Sequence, residues 1–243
     1  MPEGPSIVIL KEEAAKFAGR KVTAVSGNSK IDLARLKGKK VLRLQSWGKH
    51  FLICFNGFIV RVHFLLFGSY RINDRKPQAP RMSLTFTNGE INFYSCSIKM
   101  LEGDVSDHYD MSIDVMNDAW DKKKAMEKLQ LVPAELVCDA LLEQDIFAGV
   151  GNIIKNEVLY RIQVHPESTV GALPVAKARK MVDEARNYSF DFLEWKKKYE
   201  LKKHWLAHTK TICGKCNGPI TRKITGTKKR RSFFCNECQR LYQ

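Results

Sequence analysis

The chain has 243 residues, 44% of them hydrophobic and 10% aromatic, enough to bury a core divided between two domains and a small C-terminal cysteine module. Its formal net charge is +15, and 12 of those charges fall between position 196 and the C-terminus, where 14 Lys and Arg stand against 2 Asp and Glu. That imbalance points to a polyanion such as nucleic acid, because neutralised phosphates release counterions and give sequence-independent affinity. A membrane surface is the rival. At the termini the sequence offers no amphipathic basic helix or lipidation signal; it has no secretory signal pattern and no apolar run near the ~20 residues of a membrane span.

In chain order, Pro5 suits the first turn of a helix, Ile7, Leu10, Ala14 and Phe17 recur at helical spacing, and Gly19 suits the stop. Short β-rich runs follow at 21–26, 39–46, 51–55, 58–64, 82–87 and 90–95. Asn56-Gly57 and Asn88-Gly89 lie between consecutive runs, the preferred chemistry of two-residue hairpin turns, so an antiparallel sandwich or barrel is expected. The pattern changes near Trp120, beyond which 122–130, 133–142, 152–162 and 174–195 read as helices. Between positions 102 and 145, 12 acidic residues face 4 lysines, which reads as a solvated connector or a face turned away from the ligand.

The spacing Cys213-x2-Cys216-x18-Cys235-x2-Cys238 presents four thiolates to one tetrahedral zinc ion, a structural site whose ligation folds a module too small for its own core. The loop between the two pairs carries Lys228-Lys229-Arg230-Arg231, placed to meet an anion. Cys54, Cys96 and Cys138 remain, singly and in apolar contexts, which predicts buried free thiols in a reducing intracellular compartment rather than a secreted protein.

At the other end, Met1 precedes a small residue and is expected to be removed, leaving Pro2 with a free secondary amine. Unprotonated, that amine is a nucleophile able to attack the anomeric carbon of a deoxyribose and form an iminium ion, with Glu3 adjacent to move protons. Gly149-Val150-Gly151-Asn152 opens a helix whose free N–H groups can hold a phosphate.

Four separated blocks, in order, resemble the formamidopyrimidine-DNA glycosylase/endonuclease VIII family of base-excision repair enzymes. They are Met1-Pro2-Glu3-Gly4-Pro5; Trp47-Gly48-Lys49-His50; Gln144 to Ile153 with Glu157 and His165-Pro166; and the cysteine hairpin with Arg231-Ser232-Phe233-Phe234-Cys235. The resemblance implies an α+β multidomain fold. A helix and two-layer antiparallel β-sandwich would occupy 1–120, an all-helical helix-two-turn-helix domain 121–208, and a four-cysteine zinc-finger hairpin 209–243.

The resemblance also implies roles. Pro2 would be the nucleophile at C1′, Glu3 the proton-transfer group, and Lys49 a phosphate-contacting turn lysine that supports catalysis. Asn152 and Arg231 would grip the DNA backbone around a flipped-out nucleotide, with Arg231 counted in the catalytic set. The segment His63-Phe64-Leu65-Leu66-Phe67-Gly68 aligns with the family's void-filling loop, making His63, Leu65, Leu66 and Phe67 DNA-binding candidates, Leu66 first among them. The expected partner is double-stranded DNA with oxidised bases or abasic sites, bound by a monomer, in the cytoplasm or nucleoid if the source is prokaryotic.

Two departures from the family pattern bear on substrate. Ser6 stands where the family usually has glutamate, and little chain separates Trp195 from Cys213, where formamidopyrimidine glycosylases carry a long loop over extruded 8-oxoguanine. Gly4 is the endonuclease VIII form. The implied activity is a bifunctional DNA glycosylase and AP lyase favouring oxidised pyrimidines and cutting by β,δ-elimination. The alternatives are a formamidopyrimidine/8-oxoguanine glycosylase and a non-catalytic zinc-finger protein that binds damaged DNA; Pro2, Glu3 and Lys49 separate the enzymes from the binder.

Overall fold

Pro5 enters the first turn of helix α1 (Gly4–Glu13), where a missing N–H leaves no helical bond unmade. The structure, a computed structural model, describes residues 2–243, so the expected removal of Met1 lies outside the described residues. Ile7 and Leu10 of α1, with Ala14 and Phe17 just beyond it, are buried, while Glu12, Glu13 and Lys16 stay exposed.

The chain divides into two compact units, Met1–Asp110 and Met111–Gln243. In the first, β1 (Ala24–Ser26), β6 (Met82–Phe86), β7 (Gly89–Tyr94) and β5 (Ser69–Ile72) form one antiparallel sheet in that order. The second sheet runs β2 (Arg43–Trp47), β3 (His50–Phe55), β4 (Phe58–His63), β8 (Ser97–Glu102). Side chains alternate across a strand. Phe51, Ile53 and Phe55 of β3 and Phe58, Val60 and Val62 of β4 therefore join Leu84, Phe86, Ile91 and Phe93 of the other sheet in one apolar core.

The second unit holds α2 (Lys122–Gln130), α3 (Val137–Ala140), α4 (Asn152–Arg161) and α5 (Val175–Lys197), then a hairpin of β9 (Thr221–Thr225) and β10 (Arg230–Phe234). Asp121 caps α2 by accepting from the N–H groups of Lys123 and Lys124 at 2.8 and 3.1 Å. No helix among the described residues is long and apolar enough to cross a membrane.

Several expectations change. The two compact units part between Asp110 and Met111; the Arg186 guanidinium donates to the carbonyls of Val115 and Asn117 and the N–H of Val115 donates to Ala148, tying this stretch to the helices. The cysteine hairpin belongs to the same compact unit as the helices. The acidic stretch is packed rather than a connector, since Val105, Ile113, Val115, Leu129, Val137 and Leu141 within it are buried, as are Asp114 and Asp139, while Glu102, Asp104, Asp107, Asp110, Asp118, Asp121, Glu127 and Asp145 stay exposed. The helix expected at 133–142 shrinks to α3. At the second hairpin Phe86 pairs with Gly89, so the two turn residues are Thr87-Asn88, and Gly89 enters the strand at φ 136°, a conformation open to glycine.

Candidate functional site

Glu3 is the N-cap of α1, in extended conformation (φ −109°, ψ 173°), with its carbonyl accepting the first helical bond from Ser6 at 2.8 Å. Its side chain is 1% exposed and forms no capping bond to the first turn. This buried acid directly follows a half-buried Pro2. Helix α1 packs against β2 and β3, the two strands whose connecting turn carries Lys49. Trp47 pairs with His50, leaving Gly48-Lys49 as a two-residue turn, and Gly48 takes the positive φ (51°) that the first position of such a turn demands. Lys49 itself is half-buried.

The loop after β4 turns outward. Phe64 is buried, whereas Leu65, Leu66 and Phe67 are exposed, Phe67 by 86%. Leu65 sits at φ 52°, unusual for a branched residue, and its N–H donates to His63 Nδ1 at 3.3 Å. Gly68 closes the loop by donating to the Phe64 carbonyl at 2.8 Å, and a Cβ there would lie 2.2 Å from that oxygen. Three consecutive apolar side chains are thus held in solvent by a defined turn.

His50 and His63 are cross-strand neighbours with ring centroids 5.3 Å apart. Burial, then Arg61, His63 and Lys49, lower the His50 pKa to about 3; burial, then Lys49 and Arg61, lower that of His63, keeping its Nδ1 available as the acceptor for Leu65. Between the ordinary histidine value of ~6.5 and about 3, the unfolded chain binds a proton at His50 that the folded chain refuses, so stability falls as pH falls through that window. From pH 6.5 to 5 the loss attributable to His50 is about 2 kcal/mol. Urea unfolding at pH 7 and pH 5 should show His50→Gln losing less stability on acidification than wild type by about that amount. Equal losses in the two proteins would mean that His50 takes up its proton as readily in the fold as in the unfolded chain.

In the second unit Gly151 is the N-cap of α4 and Asn152 its first residue. The Asn152 side chain does not cap its helix. Instead its Nδ2 donates to the Arg231 carbonyl at 3.0 Å, which brings these two predicted residues together. The Arg231 guanidinium is on the exposed edge of β10. Glu157, fully buried, accepts from the backbone N–H groups of Leu206, Ala207 and His208 at 2.8–3.1 Å, fixing the chain that leads into the cysteine module. His165 packs edge-on against Phe234 at 4.4 Å.

The Sγ atoms of Cys213, Cys216, Cys235 and Cys238 all lie within 4.8 Å of one another, with Cys213–Cys238 at 3.8 Å and Cys216–Cys235 at 3.5 Å. Sulfurs around a tetrahedral ion at ~2.3 Å sit about 3.8 Å apart, whereas a disulfide needs ~2.05 Å. The four can therefore hold one metal ion. The remaining Cys54, Cys96 and Cys138 are free and buried.

Sequence reasoning missed three residues that the structure ties to this unit's site. Lys155 and Asn156 also donate to the Arg231 carbonyl, and Asp139 holds the hairpin turn. The first two stand three and four residues after Asn152 on a predicted helix, a spacing that puts them on its face.

Sequence models of two domains match the chain: the formamidopyrimidine-DNA glycosylase N-terminal domain over residues 1–97 and the formamidopyrimidine-DNA glycosylase H2TH domain over residues 111–191. The chain belongs to the formamidopyrimidine-DNA glycosylase/endonuclease VIII family. Among its relatives, Endonuclease 8-like 3 of Mus musculus is 27% identical over 99% of this chain and 46% of that protein. Endonuclease 8-like 2 of Homo sapiens is 30% identical over 74% of this chain and 57% of that protein. The chain spans less than half the length of the Endonuclease 8-like 3 relatives it matches.

The family fold extends over nearly the whole chain. A viral DNA glycosylase structure superposes with a TM-score of 0.84 at 19% identity, covering 98% of this chain and 100% of that one. Lactococcus lactis formamidopyrimidine-DNA glycosylase, non-covalently bound to DNA containing an AP site, gives 0.84 at 20% identity, covering 98% and 99%. Of the residues matched to family motifs, Pro2, Glu3, Lys49 and the 63–68 loop lie in the first unit, and Asn152, Arg231 and the four cysteines in the second.

Proposed function

We propose that this chain is a base-excision-repair DNA glycosylase and AP lyase that removes oxidised bases, pyrimidines first, from duplex DNA. The observation that carries the reading is the buried carboxylate of Glu3 directly after Pro2, at the start of a helix in a fold shared with DNA glycosylases. A protein that only binds damaged DNA has no use for an acid–base group beside an amine.

With Met1 removed, the Pro2 nitrogen attacks C1′ of the damaged nucleotide, the C1′–N bond to the base breaks, and the base leaves with a proton. Ring opening gives an iminium between Pro2 and the sugar, with Glu3 moving the proton to the ring oxygen. Loss of a C2′ proton then expels the 3′ phosphate, and a second elimination expels the 5′ phosphate. Lys49, at its turn, and Arg231, on the hairpin, grip phosphates beside the lesion, while Leu66 fills the space of the flipped base. Zinc is the ion proposed for the four cysteines, with a structural role. Buried thiols at Cys54, Cys96 and Cys138 fit a reducing compartment.

The pyrimidine preference is supported by the connection from α5 to the cysteine module. Helix α5 continues to Lys197, a short 3-10 turn spans Leu201–His204, and Trp195 stacks on His204 at 4.1 Å. Fifteen residues, 198–212, join the helix to Cys213, four of them in this packed turn, which leaves little room for a long flexible cover over an extruded purine. Single-turnover cleavage of duplexes carrying thymine glycol, dihydrouracil, 8-oxoguanine or an abasic site tests the reading. Excision should rank the two pyrimidines above 8-oxoguanine, with the abasic site cut at least as fast. No cleavage of the abasic duplex would sink the lyase assignment, and a purine-first order would reassign the lesion class.

A further inference from the structure

We propose that Lys155 is a positioning residue for Arg231, setting the backbone from which that guanidinium reaches DNA; the proposal rests on the reading of Arg231 as a phosphate grip. Asn152, Lys155 and Asn156 lie at i, i+3 and i+4 on one face of α4. All three donate to a single acceptor, the Arg231 carbonyl, from Nδ2 at 3.0 Å, Nζ at 3.3 Å and Nδ2 at 3.4 Å. A carbonyl oxygen has two lone pairs, so three donors saturate it.

Lys155 is fully buried, and its ammonium also donates to Ser232 Oγ at 2.8 Å, a hydroxyl bonded in turn to Thr225 Oγ1 at 2.6 Å. It therefore joins α4 to two successive residues of β10 and, through them, to β9. Burying an ammonium group is expensive, and an apolar residue of the same length would pack there at lower cost. What the lysine adds is a fixed geometry.

The hairpin is held at its tip as well. The Asp139 carboxylate, itself buried, accepts from Thr227 N at 2.7 Å, Thr227 Oγ1 at 3.1 Å and Lys228 N at 3.2 Å. Gly226 passes so close that a Cβ would lie 2.2 Å from Asp139 Oδ2. Arg231 thus has its main chain pinned on both sides while its side chain remains in solvent. A guanidinium on such a base loses less freedom on meeting a phosphate, and a misplacement of ~1 Å there can cost ~10²-fold in rate.

A double-mutant cycle on the full chain tests this, with zinc content and the thermal midpoint measured for each variant. Lys155→Met should keep its zinc and lower single-turnover excision roughly tenfold, the scale of one hydrogen bond to a charged group. Against an Arg231→Ala background the same change should cost less than about twofold, because the residue it positions is already gone. Salt gives a second readout: losing one phosphate contact flattens the log–log dependence of DNA affinity by about 0.9, and Lys155→Met should reproduce the flattening seen in Arg231→Ala although its own side chain never meets solvent. Should Lys155→Met fail to fold, Asn156→Ala removes one of the same donors and goes through the same cycle, with a loss of about threefold that again vanishes without Arg231. Losses that add in full, or wild-type rates for the α4 variant, overturn the proposal. Wild-type activity and salt slope in Arg231→Ala alone would instead remove the phosphate-grip reading on which it stands.

Discussion

Borohydride added while the enzyme is turning over will fix the protein to its DNA as a covalent adduct. The proposed chemistry passes through an iminium between the Pro2 nitrogen and C1′, and hydride reduces that carbon–nitrogen double bond to an amine that can no longer be hydrolysed. A free secondary amine is the requirement, so the chain with Met1 still attached, or with Pro2 acetylated, should trap nothing above background on the same duplex. Pro2→Gly keeps a primary amine at the same place and should retain residual trapping, which separates loss of the nucleophile from loss of the fold. The position favours the reaction: Pro2 precedes the N-cap of α1, and that helix is anchored by Ile7 and Leu10 in the sandwich core, so its first turn has little freedom to move. Gel-resolved adduct yield against time is the measurement. Robust trapping by either blocked protein would move the nucleophile elsewhere, with Lys49, at the tip of the β2–β3 turn, first in line.

How much of this was legible beforehand differs between fold and site. The β3–β4 hairpin could be read because Asn56-Gly57 sits between two apolar runs, and Phe55 does pair with Phe58 around it. Asn88-Gly89 carries the same chemistry, yet the register sets the turn one residue earlier; a dipeptide marks a turn but does not fix which of its residues begins the next strand. Strands β5 and β8 escaped notice. Both lie at the edge of a sheet; Ser69–Ile72 has only four residues, and Ser97–Glu102 mixes polar and apolar residues. The four cysteines could be read because metal ligands keep local spacing. For Lys155 and Asn156 the spacing from Asn152 is the one local signal, and it does not tell a buried lysine from a solvated one; Asp139 has none, and the partners of all three on the hairpin are 75 to 89 residues away. The connector reading of the acidic stretch gives way for a related reason: net charge does not say which residues are buried, and Asp114 and Asp139 have structural partners while Glu102, Asp104, Asp107 and Asp110 stay exposed.

Glu3→Gln should separate binding from chemistry. The glutamine has the shape of the carboxylate it replaces, so the N-cap and the packing around it survive, and removing a negative charge from a DNA-facing protein does not weaken affinity. What the amide cannot do is take up and return a proton. If Glu3 moves protons during base loss and ring opening, single-turnover excision of an oxidised pyrimidine should fall by about 10²–10⁴-fold, the usual contribution of a positioned acid–base group. Cleavage at a preformed abasic site should fall much less, because its ring-opened aldehyde meets Pro2 directly, with no base to expel. The contrast between the two substrates is the diagnostic, with DNA affinity measured in parallel. A carboxylate 1% exposed at the start of a helix could also be there for the fold alone, and the same data decide that case. A structural Glu3 would show as a lowered thermal midpoint and weaker binding with equal losses on both duplexes, whereas full excision activity in the glutamine variant would transfer the proton-transfer role to another group.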